Sequence, residues 1–213
     1  MHEQMPENVK KFGSSRERLI WAAKKLFAQK GFKGATVREI ASLADIRESQ
    51  INHHFGSKEG LLQACLEGLE DTRLKHVEKY LSKPCHSTAD FRSRLEYLVN
   101  ELMDAHLHLY DEMKILYFIE MTDSEFPQEF QKKWFLLFTE IAKFIEASKK
   151  TGVVRKNVDS RFFVELVYNS LSYSMLFFRH LKKRSGVDLF KADDRQAYVQ
   201  KHLDLLLPSV CRS

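Results

Sequence analysis

The sequence predicts an all-α protein, and three observations carry that expectation. Helix-breaking residues are scarce, with 8 Gly and 4 Pro among 213 residues, too few for the many turns of a strand-rich fold. Apolar residues recur three and four apart rather than two apart. Candidate N-caps and C-terminal glycines punctuate these stripes at helix-length intervals. The pattern implies three short helices in an N-terminal head over 13–73, a larger helical body over 74–213, and about nine helices in total.

The first dozen residues read as a frayed arm. Ser14 and Glu17 then form a capping-box pattern ahead of the stripe Leu19, Ala22, Ala23, Leu26, Phe27. Lys30-Gly31-Phe32 supplies a cation, a glycine and an apolar residue in the order of a helix stop. Thr36 and Glu39 repeat the capping box and open a second helix, whose stripe is Val37, Ile40, Ala41 and Ala44. Asp45 and Ile46 fall in a tight turn, and Asp tolerates the left-handed conformation better than most residues. Ile51 and Phe55, four apart, anchor a third helix. Ser57 reads as the next N-cap, opening a helix from Lys58 to about Leu81. Past Pro84, helical patterns cover about 88–108, 111–122, 127–150, 159–184 and 192–207, with no repeat and no low-complexity segment. Cations followed by glycine mark two of their ends, at Gly152 and Gly186.

The third helix carries the most informative chemistry. Between its two apolar anchors lie Arg47, Ser49, Gln50, Asn52 and His53, facing outward. A short helix that presents amides, hydroxyls, a guanidinium and an imidazole fits a DNA major groove, where Gln or Asn pairs bidentately with adenine. Ser15 to Leu62 resembles the N-terminal helix-turn-helix domain of the TetR family of transcriptional regulators; the body resembles that family in general architecture only. The resemblance implies that Thr36 caps the second helix beside a phosphate and that Arg38 reaches a base or phosphate. It places Arg47, Ser49, Gln50, Asn52 and His53 on the recognition helix, His54 at a phosphate-directed position, and Lys58 as a phosphate clamp at the start of the following helix. Two residues depart from the family pattern. Asp45 stands where Gly is usual, and Asn52 where Tyr is commoner, which puts an ordinary base readout in doubt.

Charge supports a polyanionic partner. Residues 1–60 carry eleven Lys/Arg and seven Asp/Glu, so four of the five net positive charges fall in that stretch. Enzyme chemistry finds no foothold: a glycine-rich phosphate loop, a nucleophile elbow and an HExxH motif are all missing. His53-His54 and His106/His108 are one and two residues apart, on different helix faces, whereas zinc ligands on a helix want three or four. No metal and no cofactor are expected. Cys65, Cys85 and Cys211 are odd in number and widely spaced, as in a protein of reducing compartments, and Cys65 reads as a buried inert thiol. No apolar run reaches the ~20 residues of a membrane span, and the N-terminus lacks the apolar core of a secretory signal. A cytoplasmic location follows as an expectation.

The body carries two further signals. The segment 159–184 is apolar around most of its girth, through Phe162, Phe163, Leu166, Val167, Tyr168, Leu171, Met175, Phe178 and Leu181. With the stripe Tyr198, Val199, His202, Leu203, Leu206 it suits the four-helix seam of a homodimer, where the TetR family dimerises. Aromatic residues crowd 102–145, and the resemblance puts an inducer pocket there. Leu102, Tyr117, Glu120, Met121, Trp134 and Phe138 are its candidate residues for a hydrophobic small molecule; a buried Glu120 would favour a cationic one.

These expectations describe a homodimeric, ligand-responsive repressor that reads a palindromic operator in double-stranded DNA. A ligand under the helix from Lys58 would tilt it and alter the separation of the two recognition helices. Two alternatives remain open: a regulator of the same family controlled by a protein partner or binding constitutively, and a helical binding module unrelated to DNA.

Overall fold

Ser14 opens the first helix with reciprocal hydrogen bonds. Its Oγ accepts from the Glu17 N–H at 3.3 Å, and the Glu17 carboxylate accepts from the Ser14 N–H at 2.7 Å. Thr36 and Glu39 do the same for the second helix, at 3.2 and 2.9 Å. The computed structural model describes residue 7 and residues 13–122, 125 and 127–212; the arm expected over the first dozen residues lies outside them apart from Glu7. The helices are α1 (Ser15–Gly34), α2 (Val37–Ala44), α3 (Ser49–Phe55), α4 (Lys58–Leu66), α5 (Leu69–Leu81), α6 (Thr88–His108), α7 (Tyr110–Met121), α8 (Gln128–Lys150), α9 (Ser160–Leu176), α10 (Phe178–Ser185) and α11 (Ala192–Val210). Among the described residues there is no strand, only an isolated antiparallel bridge between Val154 and Cys211.

Two of the expected long helices are broken. The segment from Lys58 to Leu81 is interrupted where Glu67 is extended (ψ 136) and Gly68 takes φ +79, a region that glycine enters without a Cβ penalty. The segment 159–184 is interrupted at Phe177, with φ −105 and ψ 28. These two breaks raise the helix number above the expected nine. Gly31, by contrast, behaves as a helix-stop glycine: φ 71 and ψ 171 bend α1 there, in a region essentially reserved for glycine.

The chain forms two compact units, Met1–Gly68 with Tyr110–Gln131, and Leu69–Leu109 with Lys132–Ser213. The expected division after residue 73 is contiguous; here a distant segment joins the head. In the first unit the α1 stripe Leu19, Ala22, Ala23, Leu26, Phe27 is buried with Ile40, Ala44, Ile51 and Leu61. α7 packs on α1 through buried Met113, Ile115 and Ile119. Ion pairs Lys24–Glu112 at 2.6 Å and Lys25–Asp111 at 2.8 Å flank that contact. Each fully buried Leu or Phe here contributes about 1.5–3 kcal/mol.

The second unit gathers α5, α6, the part of α8 from Lys132, and α9 to α11 around one apolar core that includes Phe91, Leu98, Met103, Ile145, Phe163 and Leu203. Arg155 closes its C-terminal end. Its backbone N–H donates to Val210 O at 2.9 Å, Nε to Cys211 O at 3.0 Å and Nη2 to Pro208 O at 3.1 Å. Those carbonyls lie at the end of α11, where no intrahelical donor remains. Of the apolar girth expected over 159–184, Phe163, Leu171 and Met175 are buried, whereas Phe162 and Leu166 remain 63% and 40% exposed. On α11, Val199 and Leu203 turn into the core and Leu205 stays outside.

Candidate nucleic-acid interface and cavity

The geometry of α3 begins with the turn before it. The Asp45 N–H donates to Ser42 O at 3.1 Å and the Ile46 N–H to Ala41 O at 3.0 Å, a Schellman closure of α2. Asp45 holds φ 54 and ψ 50, the only positive-φ non-glycine residue described. Arg18 stabilises that end: its Nη2 donates to Ala44 O at 2.7 Å and Asp45 O at 3.1 Å. A guanidinium on the last carbonyls of a helix also opposes the helix dipole.

On the far side, Ser57 Oγ accepts from the Gly60 N–H at 3.1 Å and caps α4. Gly60 has a second role. A Cβ on it would stand 2.0 Å from the Phe55 carbonyl oxygen, so only glycine lets α4 approach the end of α3 this closely. Ile51 is fully buried and Phe55 half-buried, with the Arg16 guanidinium 5.5 Å from the Phe55 ring centroid. The helix is thereby fixed from one face.

The opposite face is open. Arg47, Ser49, Asn52 and His53 are exposed, and Gln50 is partly exposed. On α2, Thr36 and Arg38 are exposed; the Thr36 hydroxyl is engaged with Glu39, whose carboxylate Lys30 and Thr36 together hold down to about 2. His54 is half-buried with Nε2 enclosed and no described partner. Lys58 is half-buried, its Nζ 4.4 Å from the Phe32 ring centroid, and burial pulls its pKa below the usual lysine range. All nine residues belong to the first unit.

The second unit contains a cavity of about 70 Å³ lined by α5, α6, α8 and α9. Two of the six expected pocket residues, Leu102 and Phe138, line it. Trp134 stands beside it, its ring centroid 5.2 Å from those of both Phe138 and Tyr168. Tyr117, Glu120 and Met121 lie on α7 in the other unit, and Glu120 and Met121 are exposed. Glu120, whose burial would have favoured a cationic ligand, thus faces solvent, because the apolar run around it packs its other face on α1. The polar residues that do line the cavity, Arg73, His106 and Tyr168, are not among the expected pocket residues. The sequence does carry their signal: Arg73 interrupts the four-spaced stripe Leu69, Val77, Leu81, and His106 continues the stripe Leu95, Leu98, Val99, Leu102, Met103.

Comparison with known proteins follows the same division. The family model "Bacterial regulatory proteins, tetR family" matches residues 19–65, which span α1 to α4. The similarity continues into the body: the HTH-type transcriptional repressor KstR2 of Rhodococcus jostii (strain RHA1) is 33% identical over 165 residues, 73% of this chain and 74% of that protein. The chain belongs to the TetR family of transcriptional regulators. TetR-family structures also share its fold. KstR2 of Mycobacterium tuberculosis superposes with a TM-score of 0.72 over 96% of this chain and 98% of that one, at 20% identity. PfmR from Thermus thermophilus does so with a TM-score of 0.66 over 90% and 97%, also at 20% identity. As a TetR-family protein this chain is a DNA-binding transcriptional regulator, built on an all-α fold with an N-terminal helix-turn-helix. Among the described residues no helix is long and apolar enough to cross a membrane.

Proposed function

We propose that this chain is a homodimeric, ligand-responsive repressor whose α3 reads operator bases. The observation that supports this most is the two-sided character of α3: Ile51 is at 0% exposure, while Arg47, Ser49, Asn52 and His53 all face solvent. A helix anchored so firmly and left so polar outside is suited to a major groove. Gln50 and Asn52 supply the amides for base edges, and Arg47 and His53 flank them. Thr36, Arg38, His54 and Lys58 serve the phosphates, which set register without reading sequence.

Dimerisation is supported by the exposed apolar side chains Phe162, Leu166 and Tyr173 on α9 and Leu205 on α11. Burying them against a symmetry mate would form a two-fold seam. The operator is then a palindrome with half-sites about 34 Å apart or a multiple of that. Ligand response is supported by the cavity. Arg73 brings α5 to it, and the chain runs from α5 through Gly68 directly into α4. Taking the DNA-competent population from 1:99 to 99:1 requires about 5.5 kcal/mol of differential affinity, within reach of one apolar ligand per subunit.

The test is selection of bound duplexes from a random pool, repeated with a metabolite extract present. The proposal expects an enriched palindrome in the first selection and loss of enrichment in the second. An enriched site without two-fold symmetry would contradict the dimer, and enrichment unaffected by the extract would contradict ligand response.

A further inference from the structure

The cavity has one polar end, and its charge balance defines what the cavity accepts. Arg73 and Glu70 have side chains only 1% exposed and pair at 2.6 Å. His106 Nδ1 lies 2.8 Å from the Leu102 carbonyl oxygen, so Nδ1 carries the proton and donates to it. Nε2 is then the acceptor, 3.2 Å from Arg73 Nη2. Burial and the charge of Arg73 push the His106 pKa down to about 3, so the ring is neutral. One cation, one anion and a neutral imidazole sum to zero.

Around this end the rings of Trp134, Phe138 and Tyr168 meet with centroids 5.1–5.2 Å apart. Such a cluster attracts cations, but the Arg73 guanidinium already stands 5.5 Å from the Trp134 centroid. No acidic residue lines the described cavity. A second cation would meet Arg73 without a counter-charge. A carboxylate would need several donors, but Arg73 Nη1 and Nη2 are directed at Glu70 and His106 Nε2, and His106 Nδ1 at the Leu102 carbonyl. The buried Arg73 Nε, with no described hydrogen bond, could serve one neutral acceptor oxygen but would not replace the hydration of a full negative charge beside Glu70. The rest of the wall, such as Leu98, Val99, Val164 and Leu171, is hydrocarbon, where either ion would be stripped of water without compensation.

We infer that the cavity selects an uncharged, hydrocarbon-rich molecule, a small alicyclic or acyl compound, and that Arg73 is the group that rejects cations. The inference rests on the ligand-responsive reading above and gives its ligand a chemical class. The space suits a small guest: about 70 Å³ is several times the ~10–15 Å³ needed by one water and below the ~150 Å³ of an apolar cavity that takes benzene. Met103 and Met175 line it, and their unbranched, polarisable side chains adapt to what enters.

Three isosteres that differ in charge and are small enough for the space test this: isobutanol, isobutyrate and isobutylammonium. Each is titrated into the full chain carrying Trp21→Phe, which leaves Trp134 as the sole tryptophan reporter. The alcohol should quench or shift Trp134 emission with a Kd at least tenfold below that of either ion. Val99→Phe, which fills the cavity, should remove the alcohol's signal. In the paired variant Glu70→Gln with Arg73→Met, the ammonium should bind at least threefold more tightly than in the Trp21→Phe protein while staying weaker than the alcohol, and an unchanged ammonium Kd would overturn the role given to Arg73. If that variant does not fold, the ranking in the Trp21→Phe protein still decides. Tighter binding by either ion, no binding by the alcohol, or an alcohol signal that survives Val99→Phe would overturn the inference. Operator affinity unchanged when the alcohol saturates the cavity would instead overturn ligand response and leave the charge selection standing.

Discussion

His106 is 4% exposed and neutral, wedged between Arg73 and the Leu102 carbonyl, and this couples stability to pH. Its pKa falls from the ordinary 6.5 to about 3, chiefly through burial and secondarily through Arg73. A depressed pKa means that the unfolded chain binds the proton first. The contribution is complete above about 6.5 and is lost as pH falls towards about 3, at up to about 1.4 kcal/mol per pH unit. Urea unfolding at pH 7.5 and pH 5.0 should show a loss of about 2 kcal/mol beyond that of His106→Gln, whose amide neither titrates nor changes the packing greatly. Equal losses would mean that the ring is already hydrated or protonated in the native state. At this scale the sequence is partly legible. Asp45 reads as a left-handed turn residue and takes φ 54. Cys65, which reads as an inert thiol, is buried with its pKa pushed up to about 12. Arg73 escapes notice because a charged residue in a stripe reads as solvated unless its partners, Glu70 and His106, are placed against it.

At the scale of elements, the position of α3 depends on Gly60. The 2.0 Å approach a Cβ would make to the Phe55 oxygen involves backbone, which cannot swing aside as a flexible side chain does. Gly60→Ala should destabilise the protein by about 2–3 kcal/mol and weaken operator binding more than Gly56→Ala, where a Cβ meets nothing within 4 Å. Thermal unfolding and operator titration of the two variants check this, and equal effects would show that left-handed backbone, not close approach, governs the junction. Most helices are legible from caps and stripes: the Ser14, Thr36 and Ser57 N-caps all hold. The breaks at Gly68 and Phe177 are not. One glycine inside a helical pattern costs only about 1 kcal/mol, so the pattern reads straight through it. Phe177 carries no helix-breaking chemistry, so no residue type marks the break there.

At the scale of the whole molecule, the partition of the chain is the least legible feature. α7 belongs with the head because Lys24 and Lys25 reach Glu112 and Asp111 across 88 and 86 residues, and no local pattern encodes such pairs. The exposed polar face of α3 is legible because it needs only one helix, two anchors and a cap. The central claim is therefore a claim about α3, that its exposed polar side chains read bases while Lys58 holds phosphate. Equilibrium titration of the selected operator and its single-base variants with Gln50→Ala and Lys58→Ala tests it most directly. Gln50→Ala should lose about 1–3 kcal/mol of discrimination at one base position and keep it elsewhere. Lys58→Ala should weaken every duplex alike and lower the salt slope by about one. Unchanged affinity and unchanged base preference in both variants would contradict the account.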